Sequence, residues 1–329
     1  ICMLDRHGRD AAGKNWYMRA GDPDSQAFHH DLYRACGRVR DPSQPGRMWV
    51  MEQQPGPVNW APWNPDPHPG MVRLWTHEAI AHGAEVVSYF RWRQAPFAQE
   101  QFHAGLLRAD DTKDRGYEEA AQVAKELANL PEVKSARAKV ALVFDYASIW
   151  ATEIQPQGAD YDGLALAMEW YSALRRQGQS IDIVRPGEAL DGYAVAFVPH
   201  LLMVGENALS AFGNFDGELV LGPRTGSRTK HHQIPDGLPP GPLRALVDIK
   251  VNRVESLRPG NRHLVGNSGS FSKWAEQVEA GRGVETVVTT GDGHPAQLRQ
   301  GRVEYIAGWP DEALLDRIVT DALDRAGLA

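Results

Sequence analysis

Glu52 is the side chain in this sequence best placed to do covalent or acid–base chemistry. It sits near the end of an otherwise apolar run at residues 47–53 (RMWVMEQ), and the breakers Pro55, Gly56 and Pro57 follow at once. A carboxylate at the carboxyl end of a strand is where α/β barrels carry catalytic groups, and it serves as a nucleophile or a base. An ion-paired strand-end glutamate is the alternative that spacing leaves open. Beyond the next apolar run, Arg91, Trp92 and Arg93 lead to Glu100 and His103, which share a face if that stretch is helical. The intervening loop at residues 59–70 (NWAPWNPDPHPG) carries Trp60, whose ring offers a flat surface of the kind sugars pack on. Taken singly, Trp60, Glu100 and His103 also fit structural roles.

The remaining clusters point away from other chemistries. His29, His30 and Asp31, and the pair His231 and His232, lack a third ligand at metal spacing, so no metal is expected. Residues 222–230 (GPRTGSRTK) only loosely resemble a phosphate loop, since no G-x-x-x-x-G-K-[ST] occurs. Arg224, Arg228 and Lys230 there read as a solvated loop. The apolar run of KVALVFDYASIW (residues 139–150) is not followed by G-x-G-x-x-G, which argues against a dinucleotide. The second half also lacks any cysteine or G-x-S-x-G elbow and reads as non-catalytic. No cofactor is expected.

The elements that must position Glu52 are legible as periodicities. Residues 25–37 suit a helix ended by a glycine. The runs at 47–53 and 85–90 read as parallel strands buried on both faces, joined through a helix at 71–82. This strand–loop–helix–strand order is a piece of an α/β barrel or a doubly wound sheet. A whole (β/α)₈ barrel takes roughly 250 residues, more than this region holds. An amphipathic helix at 112–130 ends before Pro131. A second unit follows, with strands at 139–144, 180–184, 193–199 and 218–221 and helices at 161–177 and 206–212, implying an open, mostly parallel sheet with helices on both sides. Strands at 285–290 and 302–307 and a last helix at 311–327 complete the pattern.

A chain of 329 residues suits about two domains. Its net charge of −7 argues against a nucleic-acid partner. No apolar run nears the ~18 residues of a membrane span. Cys2 and Cys36 alone exclude a disulfide framework. The apolar start before Asp5 is too short for a secretory signal, so a cytoplasmic location is expected. Both ends read as cuts through a larger protein.

Residues 49–75 (WVMEQQPGPVNWAPWNPDPHPGMVRLW) and 86–107 (VVSYFRWRQAPFAQEQFHAGLL) closely resemble the β-galactosidases of glycoside hydrolase family 42. So do residues 22–37 (DPDSQAFHHDLYRACG) and the second unit down to residues 294–314 (HPAQLRQGRVEYIAGWPDEAL). The resemblance implies that residues 1–130 are the C-terminal portion of a (β/α)₈ TIM barrel and residues 131–329 a flavodoxin-like trimerisation domain related to class I amidotransferases. It implies retaining hydrolysis of terminal β-D-galactosides by a homotrimer. Glu52 matches the nucleophile, Trp60 a residue of the sugar pocket, and Glu100 and His103 ligands of galactose hydroxyls. Retaining cleavage also needs an acid/base carboxyl about 5–5.5 Å from the nucleophile. The family's Asn-Glu for that role is absent, as are its cysteine zinc cluster and closing β-domain. Asp5, Asp10, Glu100 and Glu78 stand as candidates for the second carboxyl. A non-catalytic homologue, acting in assembly or weak sugar binding, is the alternative function.

Overall fold

The structure, a computed structural model, describes residues 10–38, 46–131, 135–267 and 269–328. The chain divides into two compact units, Ile1–Arg137 and Ala138–Ala329. Asp5 lies outside the described residues.

In the first unit, α1 (Ala11–Tyr17) is capped by the Asp10 carboxylate, which accepts from Gly13 N at 2.8 Å. Helix α2 (Pro23–Gly37) opens with proline at its first position and the Asp22 side chain as cap. Then come β1 (Met48–Gln53), α3 (Met71–Ala81), β2 (Ala84–Tyr89) and α4 (Arg115–Leu127). Strands β1 and β2 pair in parallel as a two-stranded sheet. Helix α3 buries Val72, Trp75, Thr76 and Ala79, and Trp75 Nε1 donates to Ala20 O at 2.8 Å. Met48 and Ala84, at the starts of the two strands, pack on Ala79 of α3.

The expected strands and their parallel pairing are present, but their burial differs from expectation. Trp49 is 56% and Met51 67% exposed. Among the described residues each strand has a single strand neighbour, so the sheet is too narrow to shield both faces of β1.

In the second unit the chain runs β3 (Val140–Val143), α5 (Tyr146–Ile154), α6 (Gly163–Arg176), β4 (Ile181–Val184), β5 (Val195–Val198), α7 (Glu206–Asn214) and β6 (Glu218–Leu221). It continues through β7 (Ile249–Ser256), β8 (His263–Val265), β9 (Gly269–Ala280), β10 (Glu285–Thr289), β11 (Pro295–Gln300), β12 (Val303–Ile306), β13 (Gly308–Pro310) and α8 (Glu312–Arg325). A seven-stranded sheet has the order β10-β11-β12-β6-β5-β3-β4. Strands β4, β3, β5, β6 and β12 are parallel, while β11 and β10 fold back antiparallel. Strands β3, β4 and β5 are buried along their whole length, as continuous apolar runs require. Helix α8 is fixed to this sheet by Arg325, which donates to Glu218 Oε2 at 2.8 Å and to the buried Glu304.

A second sheet, β13-β9-β7 with β8 on β9, is antiparallel and has no counterpart in the sequence reading. Its long strands mix apolar and charged residues, because much of β7 faces solvent. The loop after β6 also departs from expectation: Arg224 is only 3% exposed. Among the described residues no helix is long and apolar enough to cross a membrane.

Candidate active site

Glu52 is exposed on β1, one residue before the strand ends. At that end Phe90 N donates to Gln53 O at 3.1 Å, tying the carboxyl ends of β1 and β2 together. The chain then turns through Pro55–Pro57, where Gln54 Nε2 donates to Gly56 O at 2.9 Å. The turn is packed from behind by α4: a Cβ on Gly116 would sit 2.3 Å from Pro55 O. Glu52 and Trp60 line one cavity of about 330 Å³, together with Ser25, His29 and Tyr33 of α2 and Trp49 of β1. Trp60 is half exposed, leaving part of its ring open. Burial lowers the pKa of His29, and that of His30 to about 4, so both rings on this wall are neutral at pH 7.

Glu100 and His103 are brought together, but by a turn rather than a helix. His103 N donates to Glu100 O at 3.1 Å, and Ala98 and Glu100 both have positive φ (67° and 59°), which no helix tolerates. Arg91 Nη2 donates to Glu100 Oε2 at 2.7 Å. The Arg91 guanidinium lies over the Phe90 ring at 4.8 Å, and that ring meets His103 edge-on at 5.1 Å. His103 is 1% exposed. Its Nδ1 lies 3.0 Å from Ala104 O, which assigns the proton to Nδ1. In the neutral ring Nε2 is then an acceptor, and it is buried without a partner.

The turn is tied to the loop after β1, Ala104 N donating to Pro57 O at 2.9 Å. It is tied to the segment after β2 as well, Leu106 N donating to Arg91 O and Leu107 N to Trp92 O, both at 2.8 Å. Arg91, to which sequence alone assigns no role, thus anchors this group; its signal is its position two residues beyond β2. Of the other carboxyls considered, Asp10 caps α1, Glu78 lies within α3 and Glu100 pairs with Arg91; none lines the Glu52 cavity. Among the described residues no group of three or more His, Cys, Asp or Glu side chains is placed to hold a metal ion.

Comparisons with known proteins agree along both units. Residues 5–130 match the family model described as beta-galactosidase, and residues 138–329 the one described as beta-galactosidase trimerisation domain. A beta-galactosidase of Thermus thermophilus is 56% identical over 95% of this chain and 47% of its own length. Beta-galactosidase Bga of Halorubrum lacusprofundi is 39% identical over 99% of this chain and 49% of its own. The crystal structure of a beta-galactosidase from the psychrophilic Marinomonas ef1 superposes with a TM-score of 0.92 at 40% identity, covering 99% of this chain and 51% of that one. Such relatives are glycoside hydrolases, and the chain belongs to their family, glycoside hydrolase family 42. It spans about half the length of the curated relatives it matches.

Proposed function

We propose that this chain carries the nucleophile half of a retaining β-galactosidase site. Glu52 attacks the anomeric carbon of a terminal β-D-galactoside, Trp60 packs on the sugar face, and Glu100 and His103 accept from its hydroxyls. The single observation that carries this reading is Glu52 standing exposed at a strand's carboxyl end in a cavity it shares with Trp60. Attack by Oε forms the C1–O bond as the aglycone leaves with a proton from a second carboxyl; water then cleaves the glycosyl ester with net retention. The second carboxyl belongs to a residue that does not line this cavity among those described. On the same reading the first unit is part of a (β/α)₈ barrel and the second a flavodoxin-like domain that assembles the protein as a homotrimer, with the boundary near residue 130. The β4-β3-β5-β6-β12 parallel order supports the flavodoxin-like assignment.

Trapping tests it. A 2-deoxy-2-fluoro-β-galactoside with a good leaving group should mass-label a peptide containing Glu52, on the chain or on any longer protein that carries it. A label on another carboxyl removes Glu52 from the mechanism. The second reading, assembly and weak sugar binding without turnover, is favoured by the lack of a second carboxyl lining the cavity among the described residues, and predicts galactose binding with no label.

A further inference from the structure

The second unit reads from sequence as non-catalytic, with a solvated loop at Arg224, yet it holds that arginine as a buried cation with an unused donor. Arg224 follows β6, on the carboxyl-end side of the parallel sheet, where open α/β sheets receive ligands. Its backbone is left-handed (φ 64°), and Ser227 N closes the turn onto Arg224 O at 3.0 Å. Gly226 permits this: its φ is 72°, and a Cβ there would meet Pro240 O at 2.1 Å.

The guanidinium lies between two rings, 5.1 Å from the centroid of Tyr161 and 4.8 Å from that of Trp274. Its Nη2 donates to Gln157 Oε1 at 2.6 Å, but Nη1 is buried and has no partner; Ser227 Oγ is in the same condition. The nearby carboxylate does not answer this need. Glu276 Oε1 accepts from Arg224 N at 3.0 Å and Trp274 Nε1 at 3.1 Å, and its Oε2 from Tyr305 OH at 2.6 Å. Burial raises the pKa of Glu276, which weakens it as a counter-ion.

Arg224 and Ser227 line a cavity of about 150 Å³, room for several waters. Arg228 and Arg253 add positive charge, Glu276, already accepting from three donors, also lines the cavity, and Leu238 and Val251 make apolar wall. A planar fork donor with an idle N–H suits a carboxylate. The apolar wall disfavours a phosphate dianion, whose desolvation cost is higher.

We propose that this cavity binds a small monocarboxylate with a short apolar tail, its oxygens accepting from Arg224 Nη1 and Ser227 Oγ. The site is independent of the hydrolytic reading and needs no part of the first unit.

Calorimetric titration of the folded chain with sodium butyrate at constant ionic strength tests it. Saturable one-site binding is expected, with the neutral isostere butanamide at least about tenfold weaker, because it lacks the charge-assisted bonds. Arg224→Gln should weaken butyrate by at least about tenfold. That variant can also disturb the ring stack, so Val254→Trp provides a second arm: Val254 is exposed and lines the same cavity, and the larger ring blocks it with Arg224 intact. Absence of saturable heat with wild type, equal binding of butanamide, or undiminished binding by folded Val254→Trp overturns the proposal; stronger binding of phosphate than butyrate does so too.

Discussion

Arg91 and Glu100 meet at 2.7 Å, guanidinium Nη2 to carboxylate Oε2, across a chain reversal in which Glu100 itself has a left-handed backbone. The ion pair aims a carboxylate whose chain neighbours, Gln99 and Gln101, are both exposed. If Glu100 is a sugar ligand, Arg91 is its positioning residue. Arg91→Met should raise KM for an aryl β-galactoside several-fold with little change in kcat. That corresponds to about 1 kcal/mol, below the usual range for a charged hydrogen bond because the pair is partly solvated. Arg91→Lys should recover part of the loss; a fall in kcat alone would point to another role.

Glu52→Gln should lower turnover on the order of a thousandfold or more, leaving galactose affinity nearly unchanged, because the amide keeps the shape but cannot attack. Steady-state rates and product binding measured side by side check this. Retained turnover would assign the chemistry elsewhere.

His103→Phe should cost the unliganded protein only about 1 kcal/mol, because the lost Nδ1 hydrogen bond to Ala104 O is partly offset by removing a buried nitrogen that has no partner. Sugar affinity should fall about tenfold if Nε2 accepts from a hydroxyl. Thermal unfolding with and without galactose separates the two effects, and equal galactose stabilisation in both proteins would exclude His103 as a ligand.

The second unit carries a pH signature in His200. Burial, with the Arg224 charge nearby, lowers its pKa from 6.5 to about 3 in the folded state. The folded protein therefore binds this proton less readily than the unfolded chain does. Stability from this group is complete above pH 6.5 and is lost as pH falls toward 3, at up to about 1.4 kcal/mol per pH unit. Denaturant unfolding at pH 7, 6 and 5 should show the decline, and His200→Gln should flatten it.

Arg325→Ala should destabilise the second unit by about 3 kcal/mol, because Glu304, 1% exposed in its side chain, loses its cation partner. The double change Arg325→Ala with Glu304→Gln should recover much of that loss in equilibrium unfolding.

Much of this architecture is legible in the residues themselves. VALV, IDIV and VAFV announce fully buried strands because nothing polar interrupts them except Asp182. Glu52 stands out because an apolar run ends beside it in prolines. Where the reading fails, local pattern loses to tertiary context. Strand β7 carries charges on its open face and β9 buries one, Glu276, within its run, so no apolar run marks them. Arg224 is a surface residue by type and is buried by two aromatic rings more than 45 positions away in the chain. The Glu100–His103 spacing suggests a helix, yet Pro96 and the left-handed Ala98 and Glu100 turn it into a reversal.

The narrowness of the β1–β2 sheet bears on how this chain must be handled. With β2 as its sole strand neighbour among the described residues, β1 has an edge without a strand partner beside the exposed Trp49 and Met51, a template on which a second molecule can zip. Loss of material on storage should therefore follow second-order kinetics, and a lysine at position 51 should slow it by charging the rim.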